Sequence, residues 1–209
     1  MSKLVDLTLV EFAEVLGSDA PAPGGGSAAA LAAANGISLT KMVCELTLGK
    51  KKYEEFQDQI QEVHAQSVRL QKSLLEAIDK DTEAFNLVSA VFDMPKDTDE
   101  EKAARRQAMQ DALKEATKSP FSMMEEILEA LETTKAAIGR SNTNAASDLG
   151  VAALHLKSGL QGAWLNVLIN LAGIKDENFV TEYKEKGKEL LEKGSLLADQ
   201  IYQEIEASL

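Results

Sequence analysis

Apolar residues recur at intervals of three and four along most of the chain, and no stretch carries the signals of a strand-rich region or an internal repeat. The longest stripe runs Tyr53, Phe56, Ile60, Val63, Ser67, Leu70, Leu74, Ile78, Asp81, Phe85, Val88 and Phe92. It predicts a helix over residues 53–92, roughly 60 Å long at 1.5 Å per residue. Ahead of it, Thr8 with Glu11 forms a capping-box pattern for a short helix ending at Gly17. An alanine-rich run predicts a second helix over 27–47, in which Gly36 and the alanines leave room for a close neighbour, and Gly49 is a natural stop. After a break at Met94-Pro95-Lys96-Asp97, Thr98 with Glu101 opens a charged helix reaching about Lys118. Ser119-Pro120 predicts a restart into a fifth helix over 120–138, with Phe121, Met124, Ile127, Leu128 and Leu131 turned inward. Two more helices follow, over 145–172 and 176–208. The expected fold is all-α: one bundle of six or seven helices, one or two of them long, in a single domain spanning 1–209.

Composition supports that reading and narrows the function. Ala, Leu, Glu and Lys are abundant and aromatic residues make up only 5%, as suits helices. Thirty-four acidic against 22 basic residues give a net charge of -12, which argues against a nucleic-acid binder and against an anionic membrane surface. The single cysteine, Cys44, rules out a disulfide framework and leaves no cysteine metal set. Residues 28–43 are too short, and too interrupted by Asn35, Ser38, Thr40 and Lys41, to span a membrane. The first six residues carry charge and no extended apolar run, so no signal peptide is expected and the chain reads as soluble and cytoplasmic.

Three stretches carry candidate chemistry. Residues 21–27, Pro-Ala-Pro-Gly-Gly-Gly-Ser, hold two of the four prolines and the only consecutive glycines. Prolines barred from a helix interior, glycines free to take φ > 0, and Ser27 as N-cap describe a loop emptying into a helix. Its N–H groups, at the positive end of a helix dipole, suit an anion or a carbonyl oxygen, or the loop is simply a tight helix start. No Gly-Lys-Ser/Thr follows, so it is not a Walker loop. Asp81 is the anomaly of the long stripe, placed between Ile78 and Phe85 on the face due for burial. A carboxylate buried without a partner has a raised pKa, which is how acid–base residues are made; alternatively the helix turns enough to leave Asp81 to water or a structural lysine. Lys50, Lys51 and Lys52 form a basic knot in an acidic chain, a solvated loop or an anion contact. Along 145–172, Asp148, His155, Gly159, Gly162, Asn166 and Asn170 share one face, suited to a polar interface or to a pocket wall.

These motifs occur together in a recognisable order: the Pro-Ala-Pro-Gly-Gly-Gly-Ser loop, Met42 to Tyr53 with Gly-Lys-Lys-Lys-Tyr, Asp81-Thr82-Glu83-Ala84-Phe85, Ser147-Asp148, and Asn166-Val167-Leu168-Ile169-Asn170. Nearly the whole chain thereby resembles the cyclodeaminase/cyclohydrolase family of folate enzymes. That family includes the C-terminal half of the bifunctional formiminotransferase-cyclodeaminase and free-standing bacterial methenyltetrahydrofolate cyclohydrolases, to which the lysine knot and residues 94–105 look closest. The resemblance implies an all-helical fold, a homodimer at least, no metal, and no cofactor beyond the tetrahydrofolate substrate itself. It places catalysis on Asp81 and the folate pocket at Gly24, Gly25, Gly26 and Ser27 with Asn142, Asn144 and Asp148. The family often shows Gly-Asn where this chain has Ser141-Asn142.

The implied reaction is reversible hydrolysis of 5,10-methenyltetrahydrofolate to 10-formyltetrahydrofolate, with Asp81 as general base. Asn142, Asn144 and Asp148 would hydrogen-bond the pterin, and Lys50, Lys51 and Lys52 would meet a glutamate or polyglutamate tail. Cyclisation of the formimino compound with loss of ammonia is the second reading, because both reactions share the methenyl species. A non-catalytic helical oligomerisation module is the third; an exposed Asp81 far from the glycine loop would favour it.

Overall fold

Two capping boxes fix helix starts where the sequence puts them: Thr8 with Glu11 and Thr98 with Glu101 exchange side-chain and backbone hydrogen bonds. The computed structural model describes residues 3–209; Met1 and Ser2, part of the N-terminal signal-peptide reading, lie outside the described residues. The helices among those residues are α1 (Leu9–Leu16), α2 (Gly25–Glu45), α3 (Gln57–Phe92), α4 (Asp99–Ala137), α5 (Ala146–Leu171) and α6 (Glu177–Glu206). A short 3₁₀ turn at Leu4–Asp6 precedes α1, and two more, at Lys51–Phe56 and Thr143–Ala145, lie between helices. The all-α expectation holds. No helix of the described residues is long and apolar enough to cross a membrane.

The helices α3, α2, α5 and α6 lie side by side in that order, and α4 packs across them. The main core gathers α2 alanines, Leu70 and Leu74 of α3, Met124, Ile127 and Leu131 of α4, and Leu156, Leu160 and Val167 of α5. A second, smaller cluster at the C-terminal end of α2 holds Val43, Cys44, Ile60, Val63 and Leu149. Burial there, followed by the charge of Glu45, pushes the Cys44 thiol up to about 12, so it is no nucleophile.

Three helix starts differ from the sequence reading. Residues 51–56 form a 3₁₀ turn in which Tyr53 leaves helical φ/ψ, so α3 begins at Gln57 and not at Tyr53. The second helix begins at Gly25 with Gly24 as N-cap, so Ser27 lies in its first turn, fully buried, and its hydroxyl serves α3 instead of capping. And Ser119-Pro120 does not restart a helix: α4 runs unbroken for 39 residues through Pro120. Proline lacks the N–H that would bond the carbonyl four residues back. That carbonyl, on Ala116, instead accepts Asn170 Nδ2 of α5 at 2.9 Å. Burial of Pro120, Phe121, Met123 and Met124 in the core then carries the helix across the defect.

The crossing of α2 with α5 is built from small residues. Ala29, Ala30, Ala33 and Ala34 are almost fully buried. A Cβ on Gly36 would lie 2.8 Å from Leu156 Cγ, and one on Gly159 would lie 2.9 Å from both the Ala29 carbonyl and Ala33 Cβ. The two backbones therefore approach more closely than ordinary side chains allow. Gly159→Val is expected to cost about 1–3 kcal/mol of stability by overpacking, measured by urea unfolding; a loss within error of zero would refute the close crossing.

Candidate active site

The head of α2 meets α3 at Asp81. Ser27 Oγ donates to the Ile78 carbonyl (2.9 Å) or to Asp81 Oδ2 (3.1 Å) and lies 3.4 Å from Thr82 Oγ1. With one proton, the hydroxyl satisfies one acceptor at a time, so the Asp81 carboxylate keeps unused acceptor capacity. Gly26 is required by the same contact: a Cβ there would sit 2.0 Å from Asp81 Oδ1. The glycine loop thus does hold an anion at a helix N-terminus, and that anion is the chain's own aspartate.

Two influences oppose each other at Asp81. Burial raises its pKa above the ordinary aspartate value, while hydrogen bonds from the Ser27 hydroxyl and backbone N–H lower it, and burial prevails. The result is a half-buried carboxylate more basic than a surface aspartate, the state expected of a group that takes and returns a proton.

A pocket of about 280 Å³ opens beside it. Its walls are Pro21, Ala22 and Gly24 to Gly26 from the loop, Asp81, Thr82, Phe85 and Val88 from α3, Ala116 from α4, and Asn166, Ile169 and Asn170 from α5. Asn166 Nδ2 donates to the Gly162 carbonyl and Asn170 Nδ2 to the Ala116 carbonyl, both at 2.9 Å. Both amides are thereby oriented, with their carbonyl oxygens left to accept from a ligand. A larger groove of about 540 Å³ lies on the other side of α3 and α4, lined by Lys80, Glu83, Glu115, Lys118 and Glu126 among others. It touches neither the glycine loop nor Asp81, so the smaller pocket is the better candidate.

The remaining expected residues form a second group. Asn142 donates its backbone N–H to Thr47 Oγ1 (2.9 Å) and its side-chain amide to the Leu46 carbonyl (3.2 Å), and accepts the Asn144 N–H (3.1 Å). Lys52 Nζ donates to Thr143 Oγ1 at 3.2 Å, and the Tyr53 hydroxyl accepts the Thr143 N–H at 3.0 Å. Lys50, Lys51 and Lys52 are exposed beside this loop, and Asp148 lies in the first turn of α5. This group sits at the C-terminal end of α2, about 30 Å along the helix from Gly26. Within one chain it does not join Asp81.

Asn166 and Asn170 are the pocket residues that the sequence left as one of two options. Their signal was the polar face of α5; what selects them is the end of α2 against which that face packs. Among the described residues, no group of three His, Cys, Asp or Glu is placed to hold a metal ion.

An all-helical domain with a basic, half-buried aspartate at a glycine-rich helix head defines a class of acid–base site. The family model described as formiminotransferase-cyclodeaminase matches residues 8–189, and the chain belongs to that family. It is 39% identical over 202 residues, 97% of each chain, to the methenyltetrahydrofolate cyclohydrolase of Methylorubrum extorquens. It is 31% identical over 208 residues to the formimidoyltransferase-cyclodeaminase of Rattus norvegicus, of which it spans 38%. A crystal structure of formiminotetrahydrofolate cyclodeaminase from Thermotoga maritima matches with a TM-score of 0.81 at 28% identity, over 97% of this chain and 96% of that one.

The raised pKa has a thermodynamic sign. A carboxylate with a folded pKa above its unfolded value contributes fully below the unfolded pKa, and that contribution is lost as pH rises through the folded pKa. Asp81→Asn, which can still accept from Ser27, is therefore expected to be more stable than the wild type at pH 7. Urea unfolding across a pH series should show the margin narrowing on acidification; a margin that widens would overturn the assignment.

Proposed function

We propose that the chain is a cytoplasmic methenyltetrahydrofolate cyclohydrolase, interconverting 5,10-methenyltetrahydrofolate and 10-formyltetrahydrofolate with Asp81 as the acid–base group. The observation that carries the reading is the Asp81 carboxylate itself, more basic than usual, on the wall of a pocket with two oriented amides. The near end-to-end match to a cyclohydrolase supports it. The amidinium carbon is already electrophilic, so the enzyme has to position a water and move protons. Asp81 takes a proton as water oxygen bonds to that carbon, giving a neutral tetrahedral adduct. It returns the proton to N5 as the carbon–N5 bond breaks, and the adduct's hydroxyl proton leaves to solvent as the formyl C=O forms. The Asn166 and Asn170 carbonyl oxygens are placed to accept from pterin N–H groups.

Cyclodeamination is the second reading, favoured by the structural match to a protein of that activity. There N10 attacks the formimino carbon, and Asp81 delivers the proton that lets ammonia leave. The non-catalytic reading has lost its distinguishing feature, since Asp81 is half-buried in contact with the glycine loop.

The same proposal includes a homodimer. The outer face of α5 exposes Val151, Leu154, Leu165 and Ile169, with Leu165 65% and Ile169 71% accessible, and the neighbouring end of α2 exposes Met42 and, just past the helix, Leu46. The α5 stripe carries no charge: Ser158 and Gln161 fill its middle. An uncharged apolar face on an acidic protein suits an isologous contact, and Ile169 makes it continuous with the pocket. With the two-fold axis near the middle of α2, the Lys50–Lys52, Asn142, Asn144 and Asp148 end of one chain meets the Asp81 end of the other. That arrangement is how those residues would reach a folate and the outer glutamates of a polyglutamate tail.

Asp81→Asn should lose about a hundredfold to ten-thousandfold in turnover while keeping its circular dichroism. Loss of methenyl absorbance without ammonia release from the formimino compound supports the cyclohydrolase, and the opposite pattern replaces it with the cyclodeaminase. Leu154→Lys with Leu165→Lys should convert a dimer to a monomer by light scattering; a double variant that stays dimeric would place the interface elsewhere.

A further inference from the structure

The α3–α4 hairpin runs on past the head of α2. From Asp81 to Phe92 is three turns, about 16 Å at 1.5 Å per residue. Over that overhang the face that carries Asp81 continues through Phe85, Val88 and Phe92, four, seven and eleven residues on. On α4 the stripe of Ala116 continues back through Ala112, Met109, Arg105 and Lys102. At the far end lies a second cavity of about 340 Å³, lined by Val91, Phe92 and Met109 and by four cations, Lys96, Lys102, Arg105 and Arg106. No carboxylate lines it.

Four cations around one cavity run against a net charge of -12. Arg105 is fixed in place: Nε donates to the Val91 carbonyl (3.0 Å) and Nη2 to the Phe92 carbonyl (3.4 Å), closing the end of α3. Lys102 has Asp99 at 3.5 Å, a long and exposed pair, and Lys96 and Arg106 make no ion pair among the described residues. Two free cations and one oriented guanidinium, reached from the Asp81 pocket along Phe85 and Val88, form an apolar track ending in positive charge.

We propose that this cavity is an anion subsite for the first glutamate of a folate whose pterin lies at Asp81 of the same chain, taking both carboxylates of a monoglutamate and the α-carboxylate where a γ-linked tail continues. The inference rests on the folate reading above. Between the pterin and that glutamate lie a p-aminobenzoyl ring and an amide, which span about half of the overhang. The glutamate's own carbons and the reach of the lysine and arginine side chains cover the rest, and the apolar ring suits Phe85, Val88 and Phe92. Guanidinium and ammonium groups suit paired carboxylates. The Lys50–Lys52 knot, about 30 Å away along α2, cannot serve this first glutamate within one chain.

The test compares KM for 5,10-methenyltetrahydrofolate monoglutamate with KM for 5,10-methenyltetrahydropteroate, which lacks the glutamate. Wild type, Lys96→Gln/Arg106→Gln, and Lys50→Gln/Lys51→Gln/Lys52→Gln are measured side by side. The wild type is expected to favour the glutamate-bearing substrate about tenfold, and rising salt should erode that preference. The Lys96/Arg106 variant, altered at two exposed side chains, should bring the two KM values together, while the triple lysine variant keeps them apart. A wild type that does not discriminate, a Lys96/Arg106 variant that still does, or a triple variant that does not, overturns the subsite. A wild type inert toward both substrates refutes the folate reading and the subsite with it; an active wild type with a discriminating Lys96/Arg106 variant refutes the subsite alone.

Discussion

The contact between the head of α2 and Asp81 of α3 sets the rest of the site. A carboxylate brought against a helix N-terminus is attracted by it, yet here it is also stripped of water, and desolvation is the larger effect. The arrangement exists because Gly26 has no side chain where Asp81 Oδ1 lies and because Ser27 can donate to either Asp81 or the Ile78 carbonyl. Removing the glycine's space or the serine's proton would change the position or the basicity of the one group that does the proposed chemistry. Stability and reactivity are opposed at this residue, as they are wherever a charge is held in a poorly solvated place.

A second constraint delivers the pocket's other wall. The small residues of α2 and α5 let two backbones nearly touch, so the C-terminal part of α5 arrives beside the glycine loop and brings Asn166 and Asn170 with it. Pro120 takes part from a third helix. Its missing N–H leaves the Ala116 carbonyl free, and that carbonyl orients Asn170. A residue that reads locally as a helix breaker thus acts as a positioning element for a neighbouring helix.

Charge is distributed with the same economy. Ten of the 22 lysines and arginines pair with carboxylates on solvated faces, where each pair adds little to stability. The unpaired ones are mostly scattered singly, but they cluster at two places, the Lys50–Lys52 knot and the tip of the α3–α4 hairpin. An acidic protein that acts on an anionic substrate needs local reversals of its own field, and these are where it has them.

The helical class, the two capping boxes, the long α3 stripe and the anomaly of Asp81 were all legible in the chain, because periodicity and capping are local and Asp81 broke a local pattern. The unbroken path of α4 through Pro120 was not legible: the local penalty of a proline is plain in sequence, while the core burial that outweighs it comes from residues far along the chain. Ser27 looked like a cap for the same reason, since its competing partner lies 51 to 55 residues away. The sequence also grouped Asn142, Asn144, Asp148 and the lysine knot with Asp81, and only the fold separates them by the length of α2. Spacing along a chain determines which face of a helix a residue occupies; which end of which neighbour that face meets is decided by close packing between helices, and the Asp81 pocket is built from such meetings.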